Sequence, residues 1–200
     1  FTIQKNDFLS HDCTGYFHLY YVGYGQPGNP DYLNTLKNIF VSTHPDTLRA
    51  ASRQAAALMI QDIPQVMDAE RLDEAVLMAV PRSKSGMCNW QLGFKAAVRT
   101  AVKALQDNNL PVIDGTAFIF RHTSTKMTHL RKPVSNFENT GSEPYPGITK
   151  DTCDIQNEYI KGRTVILIDD IYTKTVNVDE DCIQALYDAG AARVVFYAVA

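Results

Sequence analysis

The chain has 200 residues, of which 45% are hydrophobic, and its formal net charge is −3. It can therefore bury one substantial core, and its slight acidity excludes a general attraction to nucleic acid or to anionic membranes. No apolar run approaches the roughly 20 residues that a membrane-spanning helix needs, so no membrane partner is expected. The four cysteines form no C-x-x-C pair, which favours a reducing cytoplasm over a disulfide scaffold or a zinc site. They are Cys13, Cys88, Cys153 and Cys182.

The first elements are the least regular. Residues 17–24 alternate loosely and are rich in tyrosine, which predicts a strand or hairpin, and a short helix is expected over residues 31–40. Pro45 begins a stronger helix. Its apolar face consists of Leu48, Ala51, Ala55, Leu58 and Met59. We expect residues 1–44 to form a small N-terminal hood or edge segment, and residues 45–200 to form the core. The core would continue beyond the last residue if the chain is one domain of a longer protein.

The rest of the chain alternates strands with helices. The pattern predicts strands over residues 75–80, 117–120, 165–168 and 193–199, and helices over 91–105 and 178–189. Such alternation is typical of parallel sheets, so we expect an α/β fold with a Rossmann-like, mainly parallel sheet and helices on both faces. Residues 133–150 contain three prolines and two glycines and predict a long loop that is either a lid or disordered.

One predicted strand runs directly into two adjacent acids. Apolar residues 165–168 are followed by Asp169 and Asp170, then by a short polar turn and a helix. In open parallel sheets, ligands bind beyond the carboxyl ends of the strands. Backbone N–H groups in the turn and at the helix start suit a phosphate. Carboxylates that can bind hydroxyl groups, beside amides that can bind a phosphate, predict a sugar-phosphate site.

This segment resembles the fingerprint of the type I phosphoribosyltransferases: an apolar strand, two acids, two variable residues, then Thr-Thr-Gly-x-Thr. The resemblance implies that Asp169 and Asp170 hold the ribose hydroxyls of phosphoribosyl pyrophosphate (PRPP), and Mg²⁺ indirectly, through PRPP or water. The loop for the 5′-phosphate would be Thr173, Lys174, Thr175, Val176 and Asn177. Thr173 matches the first loop threonine, whereas Thr175 replaces a glycine that gives freedom at positive φ. Asn177 is expected to cap the helix and donate to the ligand.

Other segments match the same family in the same order along the chain. The family places its pyrophosphate-binding loop after the strand at 75–80. The corresponding residues here are Arg82, Ser83, Lys84 and Ser85. Residues 92–95 and 120–126 resemble segments of the competence protein F-like (amidophosphoribosyltransferase-like) branch, without that branch's amino-terminal zinc finger. The cations of its flexible catalytic loop would be Arg121, Lys126 and Arg131.

The resemblance implies a type I phosphoribosyltransferase fold, and an enzyme that transfers the phosphoribosyl group of PRPP to a nitrogenous acceptor with Mg²⁺ as cofactor. Because the loop glycine is replaced, a second hypothesis is a catalytically degenerate regulator that binds PRPP, a related sugar phosphate or a nucleotide. A third hypothesis is an effector or accessory domain of a DNA-uptake or phage-defence module. A homodimer, common among relatives, is left open.

Two clusters of charge also have simpler interpretations. The basic residues within 121–132 could be a solvated face, a substrate clamp or a local nucleic-acid patch, and no aromatic residue lies among them to stack bases. Asp179, Glu180 and Asp181 fall in the first turn of a predicted helix, where the helix dipole alone explains them. Cys182 lies on the apolar stripe of that helix and is predicted to be a core residue.

Overall fold

The computed structural model describes residues 1–37, 43–128, 130 and 137–200. Its strands are β1 (Thr2–Ile3), β2 (Cys13–Phe17), β3 (Ala75–Ala79), β4 (Val112–Asp114), β5 (Ile119–Arg121), β6 (Cys153–Ile155), β7 (Thr164–Asp169) and β8 (Arg193–Ala198). Its helices are α1 (Asp31–Lys37), α2 (Pro45–Ala69), α3 (Gly93–Asp107), α4 (Ile148–Thr152), α5 (Asn157–Ile160) and α6 (Val178–Asp188), with a 3₁₀ turn over Asn89–Gln91.

Six of these strands form one sheet in the order β1-β2-β8-β7-β3-β4. Within the described residues, β1 and β2 pair in antiparallel fashion and the other neighbours are parallel. The strands at the centre are almost continuously apolar, because both of their faces are covered. The predicted mainly parallel sheet with helices on both faces is confirmed.

Each face of the sheet has its own hydrophobic core. Helices α1, α2 and α3 pack on one face, where Ala55, Met59 and Ile63 of α2 recur at helical spacing and are completely buried. On the other face, α6 packs beside α5 and the small antiparallel sheet formed by β5 and β6. Cys182 of α6 is buried in this second core, as its position on the apolar stripe predicts.

Two strand predictions are wrong in position. The amino-terminal strand covers Cys13–Phe17 and not residues 17–24, because Gly15, Tyr16 and Phe17 pair with β8 whereas the tyrosine-rich residues after them leave the sheet. The strand predicted at 117–120 lies outside the main sheet: β5 pairs with β6, and β4 is the neighbour of β3. A strand of three residues at the sheet edge is too short to show a period in the sequence.

The described residues of the amino-terminal segment 1–44 contribute α1 and the strands β1 and β2, which lie at one edge of the sheet. Leu33 and Leu36 of α1 are completely buried in the core that α2 and α3 share. The division at residue 44 stays a prediction. Within the part of the chain that the structure describes, no helix combines the length and apolar character needed to cross a bilayer.

Candidate functional site

Strands β3 and β7 end side by side. Ala79 pairs with Ile168, and the Val80 N–H donates to the Ile168 carbonyl at 2.9 Å. Asp169 and Asp170 therefore lie at the carboxyl edge of the sheet, where a parallel α/β fold offers its ligand crevice. A cleft of about 430 Å³ opens there. Its polar lining consists of Lys37, Thr128, Asp169, Asp170, Thr173, Thr175 and Asp179.

The predicted phosphate loop forms a turn at this cleft. The Val176 N–H donates to the Thr173 carbonyl at 3.0 Å, and Thr173, Thr175 and Val176 all line the cleft, whereas Lys174 is exposed in the same turn. The residue with positive φ is Asn177 (58°) and not Thr175. The replaced glycine thus imposes no backbone strain at Thr175, because asparagine tolerates the left-handed region better than a β-branched residue does.

Asn177 does not cap α6 with its side chain, which corrects the sequence prediction. It occupies the N-cap position, but its Oδ1 accepts a hydrogen bond from Asn6 Nδ2 at 2.9 Å and not from the helix backbone. An N-cap residue that bonds the N2 or N3 amide is normally extended, and the left-handed conformation of Asn177 turns its side chain elsewhere. This contact connects the turn to the amino-terminal segment.

The two aspartates have different electrostatic surroundings. The Asp170 carboxylate is buried and forms an ion pair with Lys37 at the end of α1, with Oδ1 and Nζ 3.3 Å apart. Desolvation, followed by the charge of Asp170, raises the pKa of Asp169 to about 7. Asp179 is hydrogen-bonded to Asp169, and burial together with the charge of Asp169 raises the pKa of Asp179 well above its usual range.

The three acids at the start of α6 are buried, and two of them, Glu180 and Asp181, accept hydrogen bonds within the chain, so the helix dipole alone does not explain them. Asp179, Glu180 and Asp181 are all at least 95% buried. The Asp181 carboxylate accepts from the N–H groups of Gly147 (2.5 Å) and Thr149 (2.7 Å), at the start of α4. The Tyr172 hydroxyl donates to Glu180 at 2.8 Å. Burial of carboxylates requires such donors.

Arg82, predicted to bind pyrophosphate, lies beside the aspartates with its guanidinium directed at backbone carbonyls. Nη1 donates to the Leu36 carbonyl at 3.3 Å, and Nη2 donates to the Lys37 carbonyl at 2.5 Å. Burial lowers the pKa of Arg82, while the charges of Asp170 and Asp169 oppose this shift. Arg82 thereby fixes the end of α1 and, with it, the lysine that pairs with Asp170.

The rest of the predicted pyrophosphate loop is bonded to the segment after β5. The Ser83 carbonyl accepts from the Thr125 N–H at 2.7 Å. The Ser85 hydroxyl lies 3.0 Å from that of Ser124. Lys84 Nζ donates to the Thr140 carbonyl, and burial lowers the pKa of this lysine. The loop is therefore held in place between β3 and residues 124, 125 and 140.

The predicted flexible-loop cations are also engaged within the chain. Arg121 donates from Nε to the Arg82 carbonyl at 2.6 Å and from Nη1 to the Thr152 hydroxyl. Lys126 Nζ lies 2.7 Å from Glu143 Oε1. Both cations line a small cleft of about 120 Å³ that also borders Asp169 and Asp170. Arg131 lies outside the described residues, as do residues 133–136 of the predicted loop. The described part of the predicted loop before α4, residues 137–147, contains no helix or named strand.

The acids fit a magnesium ion that arrives with its substrate. Carboxylate oxygens are ligands that Mg²⁺ prefers, and it is usually bound by one or two carboxylates together with substrate phosphates. Among residues 1–37, 43–128, 130 and 137–200, no group of three or more histidine, cysteine or acidic side chains is arranged to hold a metal ion directly. Asp169 and Asp170 provide two carboxylates at the cleft.

The comparisons with known proteins add little to this site. No family model matches the chain, and no curated protein matches it. One solved structure, described as the allosteric regulatory enzyme of purine biosynthesis, is similar at 15% identity with a TM-score of 0.34. The likeness covers 74% of this chain and 25% of that structure, so the chain spans about a quarter of its length.

Two residues of the cleft escape local sequence reasoning. Lys37 comes from α1, far from Asp170 in the sequence, and only the packing of α1 brings the two together. Asp179 could have been found from the connection itself, because a short turn after a strand returns the helix start to the same edge of the sheet. Its position in the first helical turn was instead explained by the helix dipole alone.

Proposed function

We propose that this cleft binds PRPP with Mg²⁺, and that the protein transfers the phosphoribosyl group to a nitrogenous acceptor. One observation supports the proposal above all others: the two aspartates after β7 line the same cleft as Thr173, Thr175 and Val176 of the turn that follows. A phosphorylated pentose needs carboxylates that accept hydrogen bonds from its hydroxyl groups, and a turn at the start of a helix whose N–H groups bind its phosphate.

Each part of the cleft has a role in this reaction. Asp169 and Asp170 would accept hydrogen bonds from the ribose hydroxyls, and the turn before α6 would receive the 5′-phosphate. Mg²⁺ on the diphosphate would supply charge neutralisation for the leaving group. As pyrophosphate leaves, positive charge develops on the sugar, and the carboxylates stabilise it electrostatically. The described part of the loop before α4, residues 137–146, would cover the cleft and exclude water from the reacting sugar.

A second candidate is a protein that binds PRPP or a nucleotide without turnover. The observation that favours it is the engagement of the predicted pyrophosphate-binding cations. Arg82, Lys84, Arg121 and Lys126 all donate to groups of the chain itself. Binding a diphosphate would require them to exchange these partners. Because these four cations already donate hydrogen bonds within the chain, they give no support to a nucleic-acid partner.

Calorimetric titration with PRPP and Mg²⁺ tests binding, and pyrophosphate release in the presence of nucleobases, amines or ammonia tests turnover. We expect Asp170→Asn to weaken PRPP binding at least about tenfold, because hydrogen bonds to a charged partner are lost. Asp73→Asn is the matched control: Asp73 is exposed and precedes β3, at the opposite end of the sheet from the cleft.

The outcomes separate the two candidates. Binding with pyrophosphate release supports the transferase, and binding that depends on Asp170 without release of pyrophosphate supports the regulator. Wild-type protein that does not bind PRPP at millimolar concentration would refute the transferase and a regulator that binds PRPP. So would equal affinities of Asp170→Asn and Asp73→Asn.

A further inference from the structure

The cleft contains a third carboxyl group that the phosphoribosyltransferase fingerprint does not assign. Asp179 is 5% exposed, lines the same cleft as Asp169 and Asp170, and belongs to the first turn of α6. Its Oδ1 is buried and makes no hydrogen bond with the described residues. A buried polar atom left without a partner destabilises a fold, so this oxygen calls for an explanation.

In each of the two fingerprint acids, one carboxylate oxygen already has a hydrogen-bond donor within the chain. Asp169 Oδ1 accepts from the Asp170 N–H at 2.8 Å, and Asp170 Oδ1 accepts from Lys37 Nζ at 3.3 Å. Asp179 is in turn hydrogen-bonded to Asp169. Asp179 Oδ1 itself is an acceptor without a donor among the described residues.

We propose that Asp179 Oδ1 accepts a hydrogen bond from a ring hydroxyl of the bound sugar phosphate, which makes Asp179 a specificity-determining residue. This inference rests on the proposed function, since it concerns the same ligand. A site built to bond a substrate hydroxyl rejects an analogue without it, because the buried acceptor then stays unpaired. The protein should therefore discriminate ribose phosphates from analogues altered at the ring hydroxyls.

The experiment is calorimetric titration with Mg²⁺ and three probes: ribose 5-phosphate, 2-deoxyribose 5-phosphate and xylose 5-phosphate, which is the C3 epimer. Wild-type protein should bind ribose 5-phosphate about tenfold more tightly than at least one of the other two. Asp179→Leu has the same branching at Cγ without the acceptor and should lose that preference. Asp179→Asn keeps an oxygen at this position and should retain it.

If Asp179 had a merely structural role, its replacement would lower the affinity for all three probes together and leave the ratio of their affinities unchanged. The ratio of affinities is therefore the decisive quantity. Thermal melting checks that the variants fold, and Asp179→Ala replaces Asp179→Leu if the leucine is not accommodated. The inference is wrong if Asp179→Leu or Asp179→Ala keeps the wild-type preference, or if Asp179→Asn loses it.

The two proposals fail differently. Binding of ribose 5-phosphate that is lost in Asp170→Asn, with an unchanged probe ratio in Asp179→Leu, refutes only the role of Asp179. A wild-type protein that binds neither PRPP nor ribose 5-phosphate refutes the proposed function and this inference together.

Discussion

Replacing Asp169 with asparagine should change how the stability of the protein depends on pH. An ordinary aspartate ionises near pH 3.8, whereas the folded chain raises the pKa of Asp169 to about 7. Between these values the folded protein keeps a proton that the unfolded chain has released. Raising the pH removes that proton at a cost to the folded state, so this group lowers the stability progressively from about pH 4 to above pH 7. Asparagine does not titrate and removes the effect.

The size of the effect follows from the shift. A change in pKa from 3.8 to about 7 corresponds to about 4 kcal/mol of unfolding free energy. Part of that shift comes from the charge of Asp170. Asp169 also shares a hydrogen bond with Asp179, so its titration is divided over a coupled pair. We expect Asp169→Asn to gain about 2 to 4 kcal/mol in stability relative to wild type between pH 4 and pH 8.

Urea denaturation at half-unit pH steps, with identical ionic strength, measures this difference directly. Comparison of the two proteins cancels the titration of the exposed carboxylates, which is common to both. Asp73→Asn serves as the control and should differ from wild type by a nearly constant amount. A free-energy difference between Asp169→Asn and wild type that stays flat from pH 4 to pH 8 would refute the assignment of a raised pKa to this carboxyl.

Two further predictions concern the backbone near the site. Asn177→Val places a β-branched residue at φ 58°, so its free energy of unfolding, measured by urea denaturation, should fall by about 1–2 kcal/mol. Asn177→Gly also removes the side chain but tolerates this φ, so its free energy of unfolding should fall less. Equal decreases in the two variants would show that backbone conformation is not the cause. Gly115→Ala would bring Cβ within 2.7 Å of two β3 side chains and should cost about 1–3 kcal/mol. Gly93→Ala meets only a leucine methyl at 3.1 Å, and it should cost less than Gly115→Ala.

The major elements follow from local pattern. Strands β3, β7 and β8 are buried apolar runs, and helices α2, α3 and α6 have an apolar face at helical spacing, so short-range sequence contains their signal. The predicted helix starts at Pro45 and Val178 coincide with the observed ones. Strands β4, β5 and β6 have three residues each, and their pairing partners decide which sheet they join. No local period contains that information.

The same division applies to the candidate site. The acid pair and the turn after it are contiguous, so the sequence by itself determined that Asp169, Asp170 and Thr173 would meet at one strand end. Lys37 joins them only through the packing of α1 against the sheet. The tertiary structure also decided the pKa of Asp169, because burial raises it and the charge of Lys37, which is distant in sequence, opposes the effect of the adjacent Asp170.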